Sequence, residues 1–257
     1  MAKWTVFPHL GDYQFDAAGV SKHWARLHAG DAEPTPRDPA VLEAWVLLHN
    51  GEFQKARETG LNAGGDGITV ANKATCMYAN YLEKKEKHKL DLFMEVAQRA
   101  EAQAAEQAKN PNAWYWQAYA LGRYSQGISV AKALAQGLGG KVKEALEKTI
   151  KLQPKHADAH IALGAFHAEV IDKVGALIGG MTYGAKKDVG LRLFQDALKI
   201  NPHSAIGMIE YANGLLMLEG DRKMKEATRL YEQAAASKPM DALERLDVTL
   251  ARSQLDD

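Results

Sequence analysis

The fold is decided by three stretches that repeat one pattern: residues 146–154 read LEKTIKLQP, residues 194–202 read FQDALKINP, and residues 231–239 read YEQAAASKP. Each stretch ends in a proline, with a large apolar or aromatic residue near its start and a small or short residue in the middle. Pro111 closes an alanine-rich run in the same way. Because proline cannot continue the helical hydrogen-bond ladder, each of these positions marks a helix boundary. Recurrence at intervals of tens of residues predicts a helical repeat array.

The residues that follow each proline add a second element to the repeat. A bulky residue stands beside a glycine or alanine at matching positions, which are Leu121-Gly122, Leu163-Gly164 and Tyr211-Ala212. Further on, Val142, Gly190 and Ala227 occupy one equivalent position before each closing phrase. This pattern resembles the tetratricopeptide (TPR) repeat, in which helix A carries a large-then-small pair and helix B carries a small residue, an aromatic residue and a closing proline. The resemblance covers residues 112–239, and it implies an all-α, TPR-like helix-hairpin solenoid.

The chain divides by sequence into four parts. We expect an arm and a first helix over residues 1–38, divergent TPR-like helix pairs over 39–111, three TPR-like repeats over 112–239 and a C-terminal capping helix over 240–257. Asp38-Pro39 has the composition of a helix start, since aspartate caps free N–H groups and proline is tolerated in the first turn. Asp241 and Glu244 form a capping-box pattern at the start of the last helix.

Two insertions interrupt the repeats, at about residues 125–140 and 171–187. The closing prolines are farther apart than the about 34 residues of a standard TPR, and the excess falls in the turns between helices A and B. Both insertions are rich in glycine and apolar residues and carry little charge. Two interpretations remain open: the insertions pack internally and extend the helices, or they form a partner, ligand or self-association surface.

The second insertion supports a narrower resemblance over roughly residues 112–202. Leu177-Ile178-Gly179-Gly180 precedes the B helix of its repeat. This motif looks like the insertion in the TPR component of TRAP-type solute transporters. A TPR-like array with a Gly-Ile step after helix A, here Gly127-Ile128, and a long Gly-rich insertion in the next repeat is similar to the regulator of microtubule dynamics family. Neither family is defined by a catalytic motif, so the resemblance implies no catalytic residues.

Composition excludes several classes of partner. Lys plus Arg and Asp plus Glu number 32 each, which gives no electrostatic reason to expect nucleic acid. No stretch has the 18 uncharged apolar residues of a membrane span, and the first residues lack a secretory signal. We therefore expect a soluble, cytoplasmic protein with neither nucleic acid nor membrane as a partner.

Candidate binding residues come from the TPR register, which places one face of each A helix in a concave groove. The groove-facing polar and aromatic residues are Trp116, Tyr119, Arg123, Gln126, Asp158, Glu169 and Asn213. A mixed set of this kind suits a peptide or a polar small ligand. His156 and His160 have the i, i+4 spacing of a metal pair, but no further ligand pattern accompanies them, so we expect no metal and no cofactor.

The sequence predicts a non-catalytic interaction module that binds a protein segment in its concave groove. We expect no enzymatic activity, because no motif supplies a nucleophile or an acid–base pair in the required context. Two alternatives stay open. One is a small-molecule-binding accessory protein similar to those of solute transport, and the other is a self-assembling structural component that forms a homo-oligomer through the apolar insertions.

Overall fold

A computed structural model describes residues 3–256 of the 257-residue chain. Within that range the protein is all-α, with no strand, as the sequence predicts. The described residues divide into two compact units: residues 3–28, 33–152 and 241–243 belong to unit 1, and residues 29–32, 153–240 and 244–256 belong to unit 2.

The helices that precede residue 153 lie in unit 1. They are α1 (Ala17–Leu27), α2 (Pro39–His49), α3 (Phe53–Ala63), α4 (Gly67–Tyr81), α5 (Glu86–Glu106), α6 (Pro111–Gln126), α7 (Val130–Ala135) and α8 (Leu138–Leu152). Successive helices pack as pairs, α2 with α3, α4 with α5, and α6 with α8. Helix α2 begins as expected, since the Asp38 side chain accepts the N–H of Ala40 at 2.8 Å and Pro39 occupies the first turn.

Unit 2 contains the remaining helices. They are α9 (Ala157–Val174), α10 (Ala176–Tyr183), α11 (Lys187–Ile200), α12 (Ala205–Glu219), α13 (Met224–Ala236) and α14 (Ala242–Asp256), with a 3₁₀ turn at Gly220–Lys223. Helices α9 and α11 pair, as do α12 and α13. One core joins the two pairs, with Phe194 fully buried among Ile161, Tyr211 and Leu215.

The repeated closing phrases are core positions. Thr149, Ala197 and Ala234, which lie at the equivalent small position of each phrase, have no exposed surface. Thr149 also donates a hydrogen bond from Oγ1 to the carbonyl of Pro111 at 3.3 Å, so it ties α8 to the start of α6. A small side chain is needed where the two helices of a pair approach closely, which explains why the sequence repeats it.

The two insertions are helical. The first forms the short helix α7, which has no buried residue, and the second forms α10, which packs on α9. Three insertion glycines lie just outside these helices with positive φ, namely Gly137, Gly175 and Gly184, whereas Gly179 and Gly180 lie inside α10. Glycine is suited to positions of positive φ because it has no Cβ to clash.

Helix α14 is the predicted capping helix. Val248 and Ala251 of α14 are fully buried in a cluster with Ala205, Ile209 and Ala234 of unit 2. Leu246 of α14 is buried as well, and the partly buried Leu250 packs against the same cluster. Glu244 turns back and accepts the N–H of Met240 at 2.8 Å.

Candidate functional site

Helix α6 carries four of the seven predicted binding residues on one face. The helix begins at Pro111, where the Asn110 side chain accepts the N–H groups of Asn112 and Ala113 at 2.9 and 3.4 Å. Trp116, Tyr119, Arg123 and Gln126 follow at intervals of three or four residues, which is the spacing of side chains on one side of a helix. We call these four residues the α6 face.

The four side chains of the α6 face contact one another in sequence. The rings of Trp116 and Tyr119 meet edge to face with centroids 5.4 Å apart, and the Arg123 guanidinium lies 5.3 Å from the Tyr119 ring centroid. Arg123 then donates a hydrogen bond to Gln126 Oε1 at 3.2 Å. Trp116 is buried, Tyr119 and Arg123 are half-buried, and Gln126 lies nearest to solvent at the end of the helix. The α6 face therefore runs from the core to solvent with its arginine held by a cation–π contact.

Two electrostatic features distinguish the α6 face. The indole N–H of Trp116 is buried and has no acceptor among the described residues, a state that costs on the order of 1–3 kcal/mol unless an acceptor is supplied. The positive charge of Arg123 also acts on the thiol of Cys76 in α4. Burial raises the pKa of the Cys76 thiol there, and the charges of Arg99 and Arg123 only partly offset that effect.

The other three predicted residues lie in unit 2, where they do not form one cluster. Asp158 begins α9 and donates its backbone N–H to the carbonyl of Gly30 at 3.0 Å. Glu169 accepts from Lys173 at 3.4 Å and lies about 16 Å farther along the same helix, given a rise of about 1.5 Å per residue. Asn213 on α12 accepts from the Tyr231 hydroxyl at 2.5 Å.

A protein-family model matches a region of this chain that contains all seven predicted binding residues. The family model described as Regulator of microtubule dynamics protein 1-3 matches residues 68–241, well over half of the chain. The chain belongs to this family. The match includes α6, both insertions and all seven predicted binding residues. It is longer than residues 112–202, the region over which the sequence resembles this family.

A solved structure supports the fold of this regulator family member. A thermophilic TPR protein of Thermus thermophilus superposes with a TM-score of 0.57 at 15% sequence identity, covering 83% of this chain and 97% of the other. The TPR-like fold is thereby confirmed, while identity at this level carries no function. A comparison with curated protein sequences gives no significant match.

A buried polar cluster in unit 1 has no signature in the sequence. His49 on α2 bonds through Nδ1 to Asp241 Oδ2 at 2.6 Å, and its Nε2 lies 3.4 Å from His28 Nε2. Trp24 stacks on His28 with centroids 4.1 Å apart. His28, His49 and Asp241 are all buried, so their polar groups bond to one another inside the unit rather than to solvent.

A second network joins α3, α4 and α5. Glu95 Oε1 accepts from Arg57 and from Arg99, both at 2.6 Å, and Arg99 also donates to Asn72 at 2.6 Å. Burial raises the pKa of Glu95, but the hydrogen bonds and charges of Arg57 and Arg99 outweigh burial and hold that pKa below its ordinary value. The Glu95 carboxylate is therefore ionised and forms ion pairs with both arginines.

The histidines considered as metal ligands have other roles. His156 caps α9, since its Nδ1 accepts the N–H of Ala159 at 3.1 Å, and His160 bonds to the carbonyl of Pro154 at 3.0 Å. Across the described part of the chain, no three His, Cys, Asp or Glu side chains are arranged to hold a metal ion. Within residues 3–256, none of the helices combines the length and the apolar content that crossing a membrane requires.

Proposed function

We propose that the chain is a non-catalytic, TPR-type interaction module that binds a segment of a protein partner at the α6 face. The observation that supports this is the connected run of Trp116, Tyr119, Arg123 and Gln126. Tryptophan, tyrosine and arginine are the residue types that dominate protein–protein hot spots. The half-buried Tyr119 ring and the Arg123 charge beside it suit a segment that carries an apolar side chain next to a carboxylate or carbonyl group.

Asp158, Glu169 and Asn213 of unit 2 are proposed separately, as partner contacts that do not depend on the α6 face. Each is half-buried. The Glu169 and Asn213 side chains are held by Lys173 and Tyr231, and the backbone N–H of Asp158 bonds to the carbonyl of Gly30. A pre-ordered surface lowers the entropic cost of binding an extended segment. The family's description names microtubule dynamics, and polymerised tubulin is accordingly the first purified partner to test.

The test compares three proteins with equal far-UV circular dichroism. They are the native chain, Arg123→Ala/Gln126→Ala, and a control that also loses one cation and one amide from exposed positions, Lys151→Ala/Gln136→Ala. Co-sedimentation with polymerised tubulin comes first, followed by affinity capture read by mass spectrometry. We expect a partner that binds the native and control chains alike and binds the α6 variant about tenfold more weakly. Equal binding by all three proteins contradicts the proposal.

A second candidate function, self-assembly, rests on one face of α10. Leu177, Ile178 and Met181 are 76%, 58% and 81% exposed, and we call them the α10 face. A contiguous apolar surface of this kind is typical of an interface. Sedimentation at increasing concentration tests this function: a native mass that rises with concentration, and that Leu177→Ser/Met181→Ser returns to the monomer value, supports it, and a constant native mass contradicts it.

A further inference from the structure

The N-terminal arm, residues 3–10, is extended over residues 3–7, turns at residues 8–10 and packs on α3 and α4 of the same unit. Two aromatic side chains three positions apart anchor it. Trp4 stacks on Tyr78 of α4, with centroids 4.1 Å apart and planes 8° from parallel. The Arg57 guanidinium of α3 lies 5.8 Å from the centroid of Trp4. The Trp4 ring thus has an aromatic partner and a cationic one, the two kinds of group that favour a tryptophan in a binding pocket.

The second anchor, Phe7, fills a gap left by a glycine. Phe7 is 2% exposed and meets Phe53 edge to face at 5.8 Å. A Cβ on Gly51 would lie 2.4 Å from Phe7 Cδ1, and Gly51 has φ of +85°. Gly51 is therefore required both for its backbone conformation and for the space that Phe7 occupies.

Side chains of unit 1 also bind the backbone of this segment. Gln54 Oε1 accepts the N–H of Trp4 at 3.0 Å, and the Tyr78 hydroxyl accepts the N–H of Thr5 at 3.3 Å. Farther on, Asn50 accepts the N–H of Phe15 at 2.8 Å and donates to its carbonyl at 2.9 Å. Hydrogen bonds from a folded body to an extended backbone, with pockets for alternate side chains, are the way in which proteins recognise extended peptides.

The recognition groups are themselves fixed in place. Gln54 donates from Nε2 to Glu58 at 3.1 Å, which turns its carbonyl oxygen toward Trp4. The Tyr78 hydroxyl donates to Glu83 at 3.0 Å, which leaves its oxygen lone pairs for Thr5. Between the anchors the arm faces solvent, since Val6 is 55% exposed, and beyond them Leu10 is 50% exposed. The arm is therefore held by the contacts that hold a bound peptide, which are made by two of its side chains and by its backbone.

We propose that the surface formed by Gly51, Gln54, Arg57 and Tyr78, the arm groove, is a binding site for an extended protein segment with two aromatic residues three positions apart. The chain's own arm occupies this groove in cis, and a partner segment of the same Trp-x-x-Phe chemistry displaces it. This inference goes beyond the proposed function, because the arm groove lies on α3 and α4 rather than on α6. Occupation in cis makes the arm an internal competitor, so the groove selects segments that bind more tightly than the arm does.

The first test adds a fluorescent peptide with the sequence of residues 3–10 (KWTVFPHL) to three chains. The arm-released chain is Trp4→Ala/Phe7→Ala, the matched control is Val6→Ala/Leu10→Ala at the exposed arm positions, and the third chain is native. We expect saturable binding to the arm-released chain that is at least about tenfold tighter than to the other two. A peptide lacking both aromatic residues should bind at least about tenfold more weakly. Binding that is no tighter to the arm-released chain overturns the proposal.

A second measurement keeps both anchors and does not depend on the folding of the arm-released chain. A fluorophore is attached at Val6→Cys, an exposed position, while the native Cys76 is fully buried and its thiol pKa is raised by burial, so it resists labelling. Unlabelled peptide in excess should lower the fluorescence anisotropy of the label as the arm is displaced, and the peptide without aromatic residues should leave it unchanged. Constant anisotropy at millimolar peptide, or an equal effect of both peptides, overturns the proposal.

Discussion

Some glycines of this chain lie where two helices approach too closely for a side chain, and others have room for one. A Cβ on Gly60 of α3 would lie 2.5 Å from the carbonyl oxygen of Gly67, a backbone atom that cannot move alone. A Cβ on Gly122 of α6 would meet nothing within 4 Å. Both glycines lie inside helices, so the gain in helix propensity on changing either to alanine is the same.

We expect Gly60→Ala to destabilise the protein by about 1–3 kcal/mol through overpacking, and Gly122→Ala to stabilise it by about 0.5–1 kcal/mol. Urea unfolding followed by circular dichroism measures both. A stabilised Gly60→Ala protein would show that α3 and α4 lie farther apart in solution than in the structure.

The depressed pKa of Glu95 makes stability depend on pH in a defined direction. A carboxylate whose pKa is lower in the folded chain than its ordinary 4.5 contributes stability that is present above that value and is lost as the pH falls through the folded pKa. We expect the melting temperature of the native chain to fall below about pH 4.5 more steeply than that of Glu95→Gln, which has no charge there to lose. Glu101→Gln, at an exposed position of the same helix, is the control and should follow the native curve. Parallel curves for all three proteins would show that Arg57 and Arg99 do not stabilise the Glu95 charge.

Single residues differ in how far the sequence predicts them. The Asp38 cap and the buried Thr149, Ala197 and Ala234 follow from local rules that act within a few positions, and the structure confirms them. The bond between His49 and Asp241 joins residues 192 positions apart. Its formation depends on the path of the whole chain, and no local pattern around either residue indicates it.

At the scale of elements, the helix pairs were predictable and the state of the insertions was not. Proline positions define helix ends, because proline cannot continue the helical hydrogen-bond ladder. The large-small pair marks a close contact at Gly164, where a Cβ would lie 3.1 Å from the Phe194 ring, but not at Gly122. The insertions have glycine-rich compositions that fit either a loop or a short helix, and packing on α9 decides the outcome for α10. For the α6 face, helical spacing predicts that its four residues lie on one side. It does not predict that Trp116 is buried while Gln126 lies near solvent.

The exposure of the α10 face leads to a prediction about stability. Leu177 and Met181 have most of their surface in water in the folded chain, so replacing both with serine removes almost no buried apolar contact. We expect Leu177→Ser/Met181→Ser to change the free energy of unfolding by less than about 0.5 kcal/mol at low protein concentration. A loss above about 1 kcal/mol under those conditions would mean that the α10 face is covered in the folded monomer.

At the scale of the whole molecule, the division into two units allows two spectroscopic signals to be compared. All five tryptophans, at positions 4, 24, 45, 114 and 116, belong to unit 1. Tryptophan fluorescence therefore reports on unit 1, while far-UV circular dichroism reports on the helices of both units. Phe194, by contrast, is a fully buried residue of the unit 2 core, packed against Tyr211 with ring centroids 5.5 Å apart.

Phe194→Ala should accordingly shift the unfolding transition seen by circular dichroism and leave the transition seen by tryptophan fluorescence in place. The loss of a buried phenylalanine costs about 3–5 kcal/mol, and repeat arrays distribute such a loss to neighbouring helices rather than to the whole chain. We expect the circular dichroism transition in urea to begin at a lower concentration than in the native chain, while the tryptophan fluorescence transition keeps its native midpoint. Leu146→Ala, in the core of unit 1, is the reciprocal variant and should move the fluorescence midpoint. If both probes shift together in both variants, the units unfold as one cooperative structure, because the energy of each core is then shared across the whole chain.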